Sequence, residues 1–275
     1  MRKRIHKLVE HIIFSNLLVS LAVGVLTIGI CNQLHFPSRY WYGLFVFSST
    51  LLTYNFQRYI KSKQRIPHPT NHIIWVNKHQ KALFCIILIS SILSAYSCLE
   101  LFLKNYLSLS LLLFSSTIRF LYVNQLKTRD LREVPYLKIH LIALIWMIAV
   151  GGIELVNELD FSPRDWIFVA AHYLYILAIT IPFDIRDLKY DIPKQKTIPQ
   201  VIGITNAKSL SIIFMLLYLF LALLTCPNLQ SNWLYISTIF LSIFLIHKVN
   251  QDRKEFYYSG ILEGTILLTG LSLLV

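Results

Sequence analysis

Three aspartates, Asp184, Asp187 and Asp191, stand at i, i+3 and i+7 in the stretch "DIRDLKYDIPKQKTIP", directly after a long apolar run. On a helix this spacing puts Asp191 within about 20° of Asp184, and Asp187 within about 60°, so one face carries all three. Carboxylates this close together beside hydrocarbon repel one another unless cations compensate them. Two kinds of cation suit: a hard divalent ion such as Mg²⁺, or facing Arg and Lys side chains. Mg²⁺ held by one or two carboxylates completes its shell with water and substrate phosphates, so the pattern points to a diphosphate ligand. The plain alternative is a solvated charge run in a loop; ionisable groups at a membrane edge are more often functional. Arg186 and Lys189 project at about 200° and 140° from Asp184, which directs them to lipid head groups rather than to the aspartate face.

The elements that hold these residues follow from composition. The chain has 275 residues, of which 55% are hydrophobic and 15% charged, too apolar for a soluble domain. Stretches near the length that crosses a bilayer fall at 12–31, 40–60, 81–102, 105–123, 136–156, 165–183, 208–226, 231–248 and 258–274. Continuous apolarity selects helices, because the strands of a membrane barrel alternate. The expected fold class is all-α, a polytopic membrane protein built as a bundle of nine transmembrane helices in a single domain over 1–275. The opening "MRKRIHK" and its apolar sequel read as an uncleaved first helix, since the run is long for a signal peptide and lacks a small-x-small site.

The net charge of +12 raises the question of nucleic acid, and its distribution answers it. Of 26 Lys and Arg residues, all but Arg39, Lys104 and Arg164 fall in alternate connections between the spans. That asymmetry is the positive-inside pattern, with the N-terminus cytoplasmic and the C-terminus external, in the cytoplasmic (inner) membrane. The expected surroundings are a lipid bilayer and no nucleic acid. Cys31, Cys85, Cys98 and Cys226 form no CxxC pair, which argues against a disulfide framework or a zinc site.

The second and sixth spans both end in polar helical extensions on the cytoplasmic side, each followed by a proline-containing loop. The motif at the sixth, Asp184, Asp187 and Asp191 followed by Thr197 and Pro199, resembles the second signature of the UbiA superfamily of intramembrane prenyltransferases. The predicted topology is similar to that family's as well. The resemblance implies that the aspartates hold Mg²⁺, which grips a prenyl diphosphate together with basic residues, while the lipid tail lies between helices. Ionisation of the carbon–oxygen bond would then let a lipid-soluble acceptor capture the allylic cation.

The sequence also departs from that family. At the end of the second span the family has a first Asp-rich motif; here "TYNFQRYIKSKQR" keeps Asn55 at its asparagine and puts Phe56, Tyr59 and Lys63 at its acids. No Asp or Glu occurs between Glu10 and Glu100. Asn55, Arg58 and Ser62 instead repeat the i, i+3, i+7 spacing of the aspartates. Arg58 then either pairs permanently with the carboxylates or replaces one metal and grips the diphosphate. Gln195 stands at a usual glycine, and the Thr-x-Pro element comes one residue early. After the fourth span, Arg119, Lys127, Arg129 and Lys138 are candidate phosphate contacts, with Lys127 the best positional match.

The expected site is therefore Asp184, Asp187 and Asp191 for metal, with Asn55, Arg58 and Lys127 for the diphosphate, and no catalytic residue is assigned. The expected activity is isoprenyl transfer. A catalytically lapsed homologue that binds isoprenoid or acts as a scaffold is the alternative. A transporter is the third class; the spans lack the Gly and Pro interruptions at mid-membrane that would favour it.

Overall fold

The computed structural model describes residues 9–63, 71–102, 110, 137–157, 162–189 and 196–275. Of these, 87% are helical and none lies in a strand. The helices are α1 (Leu17–Gln33), α2 (Arg39–Ser62), α3 (Asn71–Lys78), α4 (Gln80–Phe102), α5 (Leu137–Met147), α6 (Ile153–Asn157), α7 (Pro163–Asp187), α8 (Ile198–Thr225), α9 (Trp233–His247) and α10 (Glu263–Ser272). A π turn, Ile148–Gly152, joins α5 to α6, and another, Tyr257–Leu262, leads into α10.

Among the described residues four helical stretches are long and apolar enough to cross a bilayer: Gln80–Leu101, Leu137–Val156, Pro163–Asp187 and Ile198–Thr225. Leu17–Gln33 and Trp233–His247 are shorter apolar helices. The chain is all-helical with the make-up of a membrane protein. The expected span at 105–123 lies outside the described residues apart from Ser110.

Packing is sequential around the bundle. Neighbours run in the order α4, α2, α1, α10, α9, α8, α7, α5, with α7 on α8 the most extensive pair. The contact between α1 and α10 is a backbone approach: a Cβ on Gly270 would lie 2.5 Å from Leu26 N, and one on Gly29 would lie 2.6 Å from Gly270 O. Between apolar helices without a hydrophobic drive, small residues at the crossing are what allow such proximity.

The ends of α7 and α8 are set by local chemistry. Ser162 caps α7 reciprocally, its N–H donating to Asp165 Oδ2 at 2.9 Å while Asp165 N donates to Ser162 Oγ at 3.4 Å, and Pro163 follows at the first helical position. Near the other end, Pro182 cannot donate to the Ala178 carbonyl. Ser211 of α8 supplies the missing hydrogen bond, its Oγ donating to Ala178 O at 2.6 Å. This bond ties α7 to α8 just before the aspartates. In α8, Gly203 has φ of 79° with open space where a Cβ would stand, so glycine is required there by conformation rather than by room. The helix consequently begins ten residues before the apolar span expected at 208, as a short segment ahead of that bend.

Candidate functional site

The last turns of α7 carry two of the three aspartates. Asp184 is only 3% exposed, and its Oδ1 accepts from Lys138 Nζ at 2.7 Å. Lys138 stands in the first turn of α5, so this pair crosses between helices. Asp187 accepts twice from Arg186, from Nε at 2.7 Å and from Nη2 at 3.1 Å. The Arg186 guanidinium lies 5.0 Å from the Phe183 ring centre and 5.7 Å from that of Tyr258. The expectation that Arg186 reaches away from the aspartates is corrected here. A helical wheel fixes the direction of Cβ, whereas a long guanidinium stem folds back onto rings and a carboxylate.

At the end of α2 the expected residues take different roles. Asn55 is fully buried; its Nδ2 donates to Ser15 O at 2.9 Å and to Leu51 O at 2.8 Å, and its Oδ1 accepts from Asn16 Nδ2 at 3.2 Å. The cause lies in the first polypeptide segment, where Asn16 adopts a left-handed φ of 59° and interrupts the helix. The interruption bares carbonyls, and Asn55 satisfies one of them. Asn55, expected at the diphosphate, has its amide engaged in packing α2 against this segment. Ser62 lies at the exposed end of α2, its hydroxyl donating to Tyr59 O at 2.7 Å.

Arg58 donates through Nη1 to Phe14 O at 3.0 Å and to His72 Nδ1 of α3. With Nδ1 accepting, His72 carries its proton on Nε2 and donates it to Glu255 Oε1 at 2.5 Å. Burial keeps the His72 imidazole below its ordinary pKa; the bond to Glu255 opposes this and the Arg58 charge adds to it. Arg58 does not turn to the aspartates. Its electrostatic partners are Glu263 and Glu255, near the start of the last helix, with Arg186 as a like charge. Arg186 feels the charge of the same two glutamates. Glu263 makes no hydrogen bond and no ion pair with any described residue, and Arg58, Arg186 and Glu255 are the charges that act on it most among them.

The cluster therefore joins α2, α3, α7 and the segment leading into α10. Lys138 was among the phosphate candidates read from the sequence. Glu263 was noticed as an ionisable residue inside a span, which in a membrane is the only local signal it gives. Nothing in the sequence singles out His72 or Glu255. Asp191 and Lys127 lie outside the described residues.

A cavity of about 150 Å³ opens between α2 and α5, with Thr50, Thr53 and Gln57 on one wall and Ile142, Ile145 and Trp146 on the other. Gln57 and the two threonines make its polar side. Carboxylate oxygens are the donors Mg²⁺ prefers. As placed, however, Asp184 is given to Lys138 and Asp187 to Arg186, and no three His, Cys, Asp or Glu residues gather as a metal cage among the described residues. In this arrangement each described aspartate of the motif is engaged by a cation.

Comparison with protein-family models, with curated proteins and with solved structures finds no match.

Proposed function

We propose that the protein is a membrane prenyltransferase of the UbiA type, which transfers an isoprenyl group from a prenyl diphosphate to a lipid-soluble acceptor. The observation that carries this reading is the pair of ion pairs Lys138–Asp184 and Arg186–Asp187 at the end of α7, in an apolar bundle that also holds a cavity between α2 and α5. Charges concentrated at a membrane edge call for a polar ligand, while an apolar wall next to them suits its hydrocarbon tail. The Asp184-x-x-Asp187-x-x-x-Asp191 spacing and the sequential arc of helices support the family reading.

In this reading nine helices cross the cytoplasmic membrane, with the N-terminus cytoplasmic and the C-terminus external. Arg58, Lys138 and Lys127 bind phosphate oxygens. The allylic carbon–oxygen bond breaks with its electron pair leaving on the diphosphate; the acceptor nucleophile bonds to the allylic carbon and gives up a proton. Mg²⁺ belongs to the proposal as an ion for Asp184, Asp187 and Asp191, where it would neutralise diphosphate charge once Lys138 and Arg186 exchange the carboxylates for phosphate oxygens.

A second reading is favoured by the closed pairs Lys138–Asp184 and Arg186–Asp187: the chain binds an isoprenoid without transferring it. The experiment is a mass-spectrometric product search after feeding membranes a panel of prenyl diphosphates with quinone and polyol acceptors. A prenylated product that disappears in Asp187→Ala supports transfer. Binding without product for any donor overturns transfer and leaves the second reading, and no binding removes both.

A further inference from the structure

We infer that the cavity between α2 and α5 is a binding site for a neutral six-membered ring with oxygens at opposite ends, the head of a monocyclic para-quinone or hydroquinone, and that Thr50 and Gln57 are its hydrogen-bonding contacts. Use of this ring as the prenyl acceptor rests on the transferase reading; its binding does not, and that reading assigns neither residue.

The first support is a set of hydrogen-bonding groups left unspent around one space. Ser48, Ser49, Thr53 and Ser62 of α2 each donate to a carbonyl of the turn before, at 2.8, 3.3, 2.7 and 2.7 Å. Thr50 belongs to the same helix and is only 4% exposed, yet its hydroxyl makes no hydrogen bond with any described residue. The Gln57 amide makes none either, nor does the indole N–H of Trp146, a residue only 8% exposed. All three residues line the cavity. Buried hydroxyls and indole N–H groups ordinarily find a partner, and one left without is costly. Three such groups gathered at one cavity mark a place for a ligand that brings polar atoms.

The second support is size and lining. At about 150 Å³ the cavity has the room of one that takes a single benzene-sized ring. None of its lining residues is charged, so a carboxylate or phosphate placed there would go uncompensated, and the ligand is neutral. Facing the polar wall are Ile142, Ile145 and Trp146, whose ring meets that of Tyr54 at 6.5 Å and 37°. Such a wall suits a hydrocarbon tail as well as a ring. The polar wall decides between them: a tail leaves Thr50 and Gln57 unpaired, whereas an oxygenated ring pairs both.

The third is spacing. Thr50 and Gln57 stand at i and i+7, on one side of α2 and about 10 Å apart along its axis. Oxygens at opposite ends of a six-membered ring lie about 5 Å apart by bond lengths, and a hydrogen bond of about 2.8 Å at each end brings the span to about 11 Å. The ring thus reaches from one side chain to the other. A hydroxyl and an amide each donate and accept, so the same pair serves the carbonyls of a quinone and the hydroxyls of a hydroquinone.

The test is calorimetric titration of the full chain in nanodiscs, with empty discs subtracted, using duroquinone, a para-benzoquinone whose ring carbons are all substituted and so do not alkylate cysteine. Saturable binding is expected, weakened about tenfold in Thr50→Val and in Gln57→Leu. The melting temperature of each variant without ligand should equal or exceed the parent's, because no internal hydrogen bond is lost; a purely structural role predicts a fall. Thr50→Ser, which keeps the hydroxyl, should bind as the parent does, and Thr50→Ala serves where the valine variant does not fold. Equal binding of durene, the same ring without oxygens, overturns the inference, as does equal binding of para-hydroxybenzoate at neutral pH. Parent-like affinity in both variants, or no saturable binding at all, overturns it as well. Should prenylated product form while duroquinone fails this pattern, the ring site falls and the transferase reading stands. Should duroquinone follow the pattern with no turnover of any prenyl donor, the site stands and transfer falls.

Discussion

Helix α7 carries two polar clusters about 18 Å apart along its axis, and they are built on opposite principles. Around His172 everything is neutral and shared inside the bundle: Nδ1 donates to Phe168 O at 2.9 Å and Nε2 accepts from the Tyr218 hydroxyl at 3.2 Å. One turn on, the Tyr175 hydroxyl donates to Thr269 Oγ1 at 3.3 Å. These bonds join α7 to α8 and α10 and leave His172 nothing further to offer. Around Asp184 and Asp187 the groups are charged, their partners are long flexible cations, and neighbouring arginines keep donors in hand. A closed neutral cluster holds helices together, whereas an open charged one can exchange partners with a ligand. The same helix thus separates adhesion from recognition.

The sharpest way to break this contrast is to remove one charge. Asp184→Asn removes the carboxylate charge that Lys138 meets at 2.7 Å, and loss of half a buried pair should cost about 3 kcal/mol, read as a fall in melting temperature in detergent. The double variant Asp184→Leu with Lys138→Met should recover most of that loss, because the ionic penalty disappears with the pair. A single variant as mild as the His172 variant below would erase the distinction.

The bond between the two clusters comes next. Ser211→Ala orphans the Ala178 carbonyl and should cost about 1 to 2 kcal/mol. Adding Pro182→Ala should return part of this, since an amide at 182 restores the helical donor. No recovery in the double variant would show that Ser211 acts in some other way.

His172→Phe should cost about 1 kcal/mol, within the range of hydrogen bonds between membrane helices, and leave pyrophosphate binding unchanged. Altered binding would mean that the neutral cluster communicates with the charged one.

The smallest effect concerns pH. Because the folded pKa of His72 is lowered, its contribution to stability is complete above the ordinary value of 6.5 and is lost as pH falls below it. Protonation at Nδ1 also ends the bond from Arg58. Melting temperatures taken from pH 7 to 5.5 should decline more steeply in the parent than in His72→Gln. Parallel curves would remove His72 from the relay.

Much of the architecture was legible in the residues. The apolar spans read at 40–60, 81–102, 136–156 and 165–183 correspond closely to α2, α4, the α5–α6 run and α7, because apolar length is imposed by the bilayer itself. Nine crossings remain the proposal. The wheel also put Asp184 and Asp187 where cations gather, and Lys138 was among the basic candidates.

What was not legible depends on contacts distant in sequence. Asn55 takes its role from a left-handed residue at Asn16, a conformation no pattern in that stretch announces. Arg58 finds its acids not on the aspartate helix but roughly two hundred positions later, at Glu255 and Glu263. Arg186 folds against its own neighbour, and helical periodicity does not encode side-chain torsions. In each case local spacing named the residue and tertiary packing chose its partner.

The glycine crossing of α1 and α10 has a consequence for how the protein is made. Gly29 and Gly270 belong to segments far apart in sequence, so their seam cannot form until the Gly270 segment has been made and inserted. Until the Gly270 segment has been inserted, α1 presents an unfilled groove to lipid, and the Asn32 and Gln33 amides wait for the Leu273 carbonyl that they later bind at 3.2 Å and 2.7 Å. An open groove on α1 thus marks a bundle whose helices have not finished assembling.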